Sequence, residues 1–209
     1  VDFLSEKNIY AFGPSKKASQ LEGSKAFMKK LCKDFNIPTA KYEEFDNFEK
    51  AKSFIEENQH PLVIKSDGLA AGKGVTISSS IEESLKCAKE ILDGKFKSSK
   101  KFIIEEFLEG EEASYFIITD GDHYIPIGTA QDHKRIGEGD TGPNTGGMGA
   151  YSPSLIIDEN IEKKIQTKII EPTLKGLNKI GCKFTGILYA GLMISNGEPK
   201  LIEYNIRFG

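Results

Sequence analysis

The sequence predicts an α+β fold. Strand-length apolar runs alternate with amphipathic helical patterns between residues 41 and 107. Two turn dipeptides, Asp120-Gly121 and Asn196-Gly197, each sit between strand-like runs, and a long helical pattern, 158–180, lies between those two hairpins. Runs of strands mixed with helices in this way fit α+β packing around a hydrophobic core.

In chain order, Leu21, Phe27, Met28, Leu31 and Phe35 give 15–35 one apolar face, and Asn36-Ile37-Pro38 ends that helix. Asp46 or Asn47 caps a second helix running to about Asn58, with Phe48, Ala51, Phe54 and Ile55 facing inward. Leu62-Val63-Ile64, Val75-Thr76-Ile77 and Phe102-Ile103-Ile104 read as strands. Ser80 and Glu83 form a capping box for a helix over 81–92, closed by Asp93-Gly94. The stretch 41–107 is thus a β-α-β-β-α-β unit. The hairpins pair 113–119 with 123–130 and 186–194 with 199–205. Between them lie an irregular Gly-rich loop, 137–149, and the long helix, with Ile161, Ile165 and Ile169 on one face, a kink or break at Pro172 and a stop at Gly181.

A chain of 209 residues buries roughly 70% of its unfolded surface and needs neither disulfide nor metal to hold a core. Its hydrophobic share of 38% and charged share of 28% are those of a globular protein rather than a disordered one. A net charge of −3 argues against a nucleic-acid binder. No apolar run approaches the ~20 residues of a membrane span, and VDFLSEKN at the start is not a signal peptide. Cys32, Cys87 and Cys182 are odd in number and far apart, which predicts reduced thiols in the cytoplasm. The chain opens on Val1 rather than Met and stops just after an apolar strand, at Arg207-Phe208-Gly209, so an excerpt from a longer protein is expected.

Four segments carry chemistry. Lys65 to Gly74 joins two strands with Gly68, Gly72, Gly74 and the lysines Lys65 and Lys73. Its spacing is neither the Walker A loop nor the dinucleotide fingerprint, both of which open a helix. It reads as a flexible turn or as a phosphate cradle, and small residues between two lysines favour the cradle. Glu105, Glu106, Phe107 and Leu108 end a buried strand, followed by Glu112. A solvated acidic turn is the plainer reading; the other is a backbone edge for adenine with a carboxylate for ribose. Asp132, His133, Lys134 and Arg135 precede a glycine-dense run containing Asn144, Thr145, Gly146, Gly147 and Met148. So much glycine beside basic residues favours an anionic ligand over a hinge. In the last strand, alternation puts Glu203, Asn205 and Arg207 on one face. A carboxylate and an amide oxygen suit Mg²⁺, and the arginine suits a phosphate oxygen; a polar outer face with an ion pair is the alternative. His60, His123 and His133 lack zinc-ligand spacing, and no Gly-x-Ser-x-Gly motif occurs.

These segments resemble, in family order, the ATP-grasp core of phosphoribosylamine–glycine ligase, or glycinamide ribonucleotide synthetase. The resemblance rests on GPSKKASQLEGSKAF (13–27), VIKSDGLAAGKGV (63–75), IEEFLEGEEAS (104–114), QDHKRIGEGDTGPNTGGMGAYSP (131–153), GILYAGLMI (186–194) and IEYNIRFG (202–209). It implies two α/β lobes clamping ATP, with a small lobe at about 42–108 inserted into a larger one formed by 1–41 and 109–209. Lys25 and Lys65 would contact ATP, residues Gly68 to Gly74, with Gly72 and Lys73, would cover the phosphates, Glu105 to Leu108 would form the adenine hinge and Glu112 would hold the ribose. Glu203 and Asn205 would bind Mg²⁺ or Mn²⁺, and Arg207 and Lys134 would act in catalysis. Asp132, Lys134, Asn144, Thr145, Gly146, Gly147 and Met148 would line the site for glycine and phosphoribosylamine. The family's flanking N- and C-terminal domains help build that pocket and are not in this sequence, so the expectation is ATP binding without full activity. The implied activity is ligation through glycyl phosphate in purine biosynthesis. Another ATP-grasp carboxylate–amine ligase and a non-catalytic ATP-binding module are the alternatives.

Overall fold

The computed structural model describes residues 1–68, 74–95, 100–139 and 141–208, and of 134, 135, 143, 144 and 146 the backbone alone. A short helix α1 (Asp2–Ser5) is followed by α2 (Gln20–Gly23) and α3 (Lys25–Asp34). One helix over 15–35 is expected from the apolar pattern; the chain instead breaks at Ser24, which is extended (φ −139°, ψ 115°). Its hydroxyl accepts from the Phe27 amide at 3.1 Å. A serine cap supplies what the free amides of a new first turn need, so local capping overrides the continuous pattern. Asn36, at φ 55°, turns the chain out of α3.

The unit expected at 41–107 forms as β1 (Tyr42–Phe45), α4 (Phe48–Glu57), β2 (Leu62–Ser66), β3 (Val75–Ser78), α5 (Ile81–Leu92) and β4 (Phe102–Glu106). Its four strands lie in the order β1-β4-β2-β3, every pairing antiparallel. Asn47 caps α4 and Ser80 caps α5. The Glu83 carboxylate reaches back to the Ser79 amide at 2.8 Å, one residue beyond the cap amide that a standard capping box uses. Phe45, Ile55, Ile64, Ile91, Phe102 and Ile104 make a hydrophobic core of their own.

The second sheet contains β5 (Glu111–Thr119), β6 (Tyr124–Gly137), β7 (Thr141–Tyr151), β8 (Gly186–Ser195) and β9 (Glu198–Asn205), ordered β7-β6-β5-β8-β9. The segment expected as an irregular Gly-rich loop is a hairpin: β6 pairs β7 from Gln131↔Tyr151 to Gly137↔Thr141, with register shifts around Arg135. Gly139 takes φ 67° at its tip, where only a residue without Cβ does so freely. Asn196 and Gly197 form the expected two-residue turn, with φ 52° and 72°. Asp120-Gly121 departs from it, because strand pairing ends at Thr119↔Tyr124 and leaves four residues in the turn. The Asp120 carboxylate accepts from the Asp122 and His123 amides at 2.8 and 2.7 Å, an Asx turn that needs positive φ only at Gly121.

The long helix is interrupted. α6 (Glu159–Ile165) passes through a π turn (Gln166–Ile170) into α7 (Glu171–Lys179), and Pro172 sits in the first turn of α7. A proline lacks its N–H and crowds the carbonyl four residues back, and a π turn just ahead of it accommodates both. Ile165, Ile169, Leu174 and Leu177 from these helices, with Leu21, Met28 and Leu31 from α2–α3, pack on Tyr115, Ile117, Leu188, Ala190 and Leu192. Helices therefore cover one face of the five-stranded sheet. The opposite face carries Glu112, Ser114, Tyr189 and Glu203. Among the described residues no helix is long and apolar enough to cross a membrane.

Candidate active site

The site lies where α3, the ends of β2 and β4, and the open face of the large sheet meet. Lys25 is the first residue of α3 because Ser24 caps that helix. Asp67, just past β2, caps it from the small sheet. Its Oδ1 accepts from the Lys25 and Ala26 amides at 2.7 and 3.3 Å, and its two oxygens accept from the Ser24 hydroxyl at 3.2 and 3.3 Å. A carboxylate at a helix N-terminus meets both unpaired amides and the positive end of the dipole. Lys25 Nζ donates to the Gly68 carbonyl at 3.3 Å. Burial lowers the Lys25 pKa, while the negative charge of Glu203 pushes it back up.

One turn further along α3, Lys29 is fully buried. Its ammonium stands 3.1 Å from Glu105 Oε1, and Lys65 Nζ lies 2.9 Å from Glu105 Oε2. Lys29 also donates to Thr39 Oγ1 at 2.7 Å and the Ala40 carbonyl at 3.1 Å. Its approach to Oε1 is an ion pair without hydrogen-bond alignment, so that oxygen has no hydrogen-bond donor. Burial lowers the Lys29 pKa, and Glu105 opposes the shift. Lys65 makes a long contact, 3.5 Å, to the Ile202 carbonyl.

Beside this seam a hollow is lined by Glu112, Ser114, Asp132, Tyr189, Gly191 and Glu203, among others. Glu203 reaches it through a bulge. Gly191 pairs with Glu203 while Leu192 pairs with Leu201, leaving Ile202 unpaired. That extra residue resets the alternation, so Leu201 enters the core while Glu203 faces the hollow. Gly191 leaves room for this: a Cβ there would stand 3.2 Å from Tyr189 Oη and 3.3 Å from Glu203 Cγ.

Of the residues expected from the sequence, Lys25, Lys65, Glu105, Glu112, Asp132 and Glu203 come together here. Arg207 lies beyond β9; it donates to Asn205 Oδ1 at 3.1 Å and pairs with Glu22 at 3.3 Å. Glu106 turns outward, accepting from the Lys41 amide at 3.1 Å, and Phe107 and Leu108 follow as a half-buried linker. At the glycine loop, Gly68 takes φ 91° and the Gly74 carbonyl accepts from the Ser66 amide at 2.8 Å. Gly72 and Lys73 lie outside the described residues, as do the side chains of Lys134 and Asn144 and the surroundings of Gly146. Thr145 Oγ1 accepts from the Gly147 amide at 3.0 Å, and Met148 is exposed. Sequence reasoning missed Lys29, Asp67 and Glu22 as members of this region. For Lys29 a signal existed: it lies one turn from Lys25, beside Met28, Leu31 and Cys32 on the face that α3 buries.

Two antiparallel sheets that meet at a buried lysine–carboxylate seam make up an ATP-grasp domain, as the family match over residues 23–209 shows. Biotin carboxylase from Campylobacter jejuni, solved as a β,γ-ATP complex, superposes with a TM-score of 0.77 over 100% of this chain and 46% of its own, at 18% identity, which speaks to the fold alone. The chain belongs to the phosphoribosylglycinamide synthetase ATP-grasp (A) domain family, which it matches over residues 23–209. Phosphoribosylamine–glycine ligase of Thermotoga maritima superposes with a TM-score of 0.88 at 39% identity, over 95% of this chain and 51% of that one. The chloroplastic phosphoribosylamine–glycine ligase of Arabidopsis thaliana is 54% identical over 99% of this chain and 40% of its own length. The Brucella melitensis enzyme of that name is 51% identical over 100% of this chain and 49% of its own. The chain thus spans about half, or somewhat less, of these relatives.

Proposed function

We propose that this chain is the nucleotide-binding core of an ATP-dependent ligase that joins glycine to 5-phosphoribosylamine, giving glycinamide ribonucleotide, ADP and phosphate. The observation that carries the reading is the convergence of Lys25, Lys65, Glu112, Asp132 and Glu203 at one junction, in a chain half identical to ligases of that name. Lys25 and Lys65 bind ATP phosphates. The glycine loop from Gly68 to Gly74 would cover them, with 42–108 acting as a lid lobe. The backbone of Glu105 to Leu108 receives adenine and Glu112 the ribose. Asp132 and the β6–β7 hairpin, with Lys134, Asn144, Thr145, Gly146, Gly147 and Met148, receive glycine and phosphoribosylamine. Flanking parts of the full-length protein complete that pocket.

Glu203 and Asn205 fit a divalent cation, Mg²⁺ or Mn²⁺. Both offer hard oxygens from alternate positions of one strand, and phosphate oxygens and water complete such a shell. Asn205 Oδ1 already accepts from Arg207, and its second lone pair remains for a metal. Held by Glu203 and Asn205, a cation would supply neutralisation of phosphate charge, which favours attack at the γ-phosphorus. Lys25, Lys65 and Arg207 hold the phosphates while a glycine carboxylate oxygen attacks in line, and the bond to the bridging oxygen breaks to release ADP. The amine of phosphoribosylamine then attacks the acyl carbon of glycyl phosphate, loses a proton, and phosphate leaves. No protein nucleophile takes part; catalysis is positioning, charge stabilisation and exclusion of water.

The test is ADP release by the full-length protein with Mg-ATP, glycine and freshly generated phosphoribosylamine, omitting each in turn. Release that needs all three, matched by glycinamide ribonucleotide, is the expected result. Release with a different carboxylate–amine pair would discard these substrates and keep the ATP-grasp chemistry.

A further inference from the structure

Lys29 has no place in the mechanism above, yet it is the most completely held charge in the site. It is 0% exposed; its ammonium donates to Thr39 Oγ1 and the Ala40 carbonyl and stands 3.1 Å from Glu105 Oε1 as an ion pair. The Tyr42 ring lies 5.4 Å away, adding a cation–π contact. Lys65 is held less fully, by Glu105 Oε2 at 2.9 Å and by the long contact to Ile202.

We propose that Lys29 is a positioning residue that takes up half of the Glu105 carboxylate and so leaves Lys65 with charge and donors for a nucleotide phosphate. This rests on the reading of Lys65 as a phosphate contact. The arithmetic is simple: two ammonium groups around one carboxylate leave one net positive charge in the seam. Without Lys29 the remaining pair is neutral. Glu105 Oε1, buried and without a hydrogen bond, would then turn to Lys65 and chelate it with both oxygens. In a low-dielectric seam, cancelling that charge removes most of the attraction for an anion. Lys29 also joins α3 to β4, so the carboxylate that aims Lys65 is fixed to the same helix that carries Lys25.

The experiment is calorimetric titration of the full-length protein with MgADP and, separately, with adenosine. It compares wild type, Lys29→Met, Lys65→Met and the double variant. Lys65→Met and Lys29→Met each weaken ADP by about tenfold or more, as expected for a lost charge-assisted contact, while adenosine is unaffected. The double variant falls within about twofold of Lys65→Met, because Lys29 acts through Lys65. Lys29→Arg, which keeps the charge, restores ADP affinity. Should Lys29→Met fail to fold, Lys29→Gln decides by the same ratio, since it keeps a donor for Ala40 and loses only the charge. Unchanged ADP affinity in Lys29→Met, equal losses of ADP and adenosine, or additive losses in the double variant would overturn the inference while leaving the nucleotide site intact. Absence of ADP binding by wild type, or a Lys65→Met variant that binds like wild type, would overturn the reading of Lys65 and this inference with it.

Discussion

Lys29, Lys65 and Glu105 are 0%, 6% and 3% exposed and hold one another at 3.1 and 2.9 Å. On the neighbouring β6–β7 hairpin Met148 is 58% exposed, and the register shifts twice between His133 and Gly137. The charges on the seam are desolvated and aimed in the folded chain, so on the proposed reading a phosphate would meet them without reorganisation. The hairpin keeps its ladder but leaves Met148 in water, so a substrate bound there would have to order it at the expense of affinity. On the proposed function, the contrast would give rigid electrostatics to the nucleotide and adaptable contacts to the small substrates.

The largest effect expected is at Glu203, on the boundary between the two regions. Glu203→Gln removes the carboxylate from the pair with Asn205 and keeps its shape. Turnover of the full-length protein should fall by about 100-fold or more, the scale of losing one group aimed at developing charge. The melting temperature should stay near wild type, since Glu203 is only half-buried. Wild-type ADP release by this variant would sink the metal assignment. Gly191→Ala probes the same carboxylate from the opposite strand. The new Cβ would press on Tyr189 and Glu203 at 3.2 and 3.3 Å, and small displacements of an aligned group cost rate more than stability, so about tenfold in turnover is expected. Kinetics beside a melting curve separates the two quantities.

Much of this architecture is legible in the sequence because local chemistry and global packing agree there. Asn47, Ser80 and Asn196-Gly197 specify two caps and a turn through side-chain oxygens and positive φ, and all three form as the spacing requires. The β6–β7 hairpin was not legible, because glycine carries no alternating pattern and its pairing depends on β6 continuing out of a sheet formed at long range. The break at Ser24 and the bulge at Ile202 stayed hidden for a related reason: each is one residue whose local choice is decided by a partner, Asp67 for α3 and Gly191 for Glu203. Lys25, Lys65 and Glu203 carried residue-type signals for the site. Lys29 carried only a positional one, its place on the apolar face one turn from Lys25, which gains meaning once the buried carboxylate opposite it is seen.

Asp67 sharpens the comparison on the nucleotide side. Asp67→Ala strips α3 of an acceptor for two amides and the Ser24 hydroxyl. A loss of about 1–2 kcal/mol in chemical denaturation is expected, the range for a helix cap plus the dipole. ADP affinity should weaken as well, because the helix end it fixes carries Lys25. A variant as stable as wild type would mean that the Ser24 cap alone secures α3.

The smallest effect expected is the one that can break the contrast outright. Met148 lies on the hairpin with 58% of its surface in water, so Met148→Ala should change stability by no more than about 0.5 kcal/mol, as exposed positions do. If the hairpin receives the small substrates, the KM for glycine or phosphoribosylamine rises a few-fold while the KM for ATP stays fixed. A change confined to ATP would mean that the hairpin closes over the nucleotide, and a change in all three would mean that the rigid seam and the exposed hairpin move as one body. Either result would end the division of labour argued from burial, because a residue this exposed has no route to the phosphates except through motion of the hairpin itself.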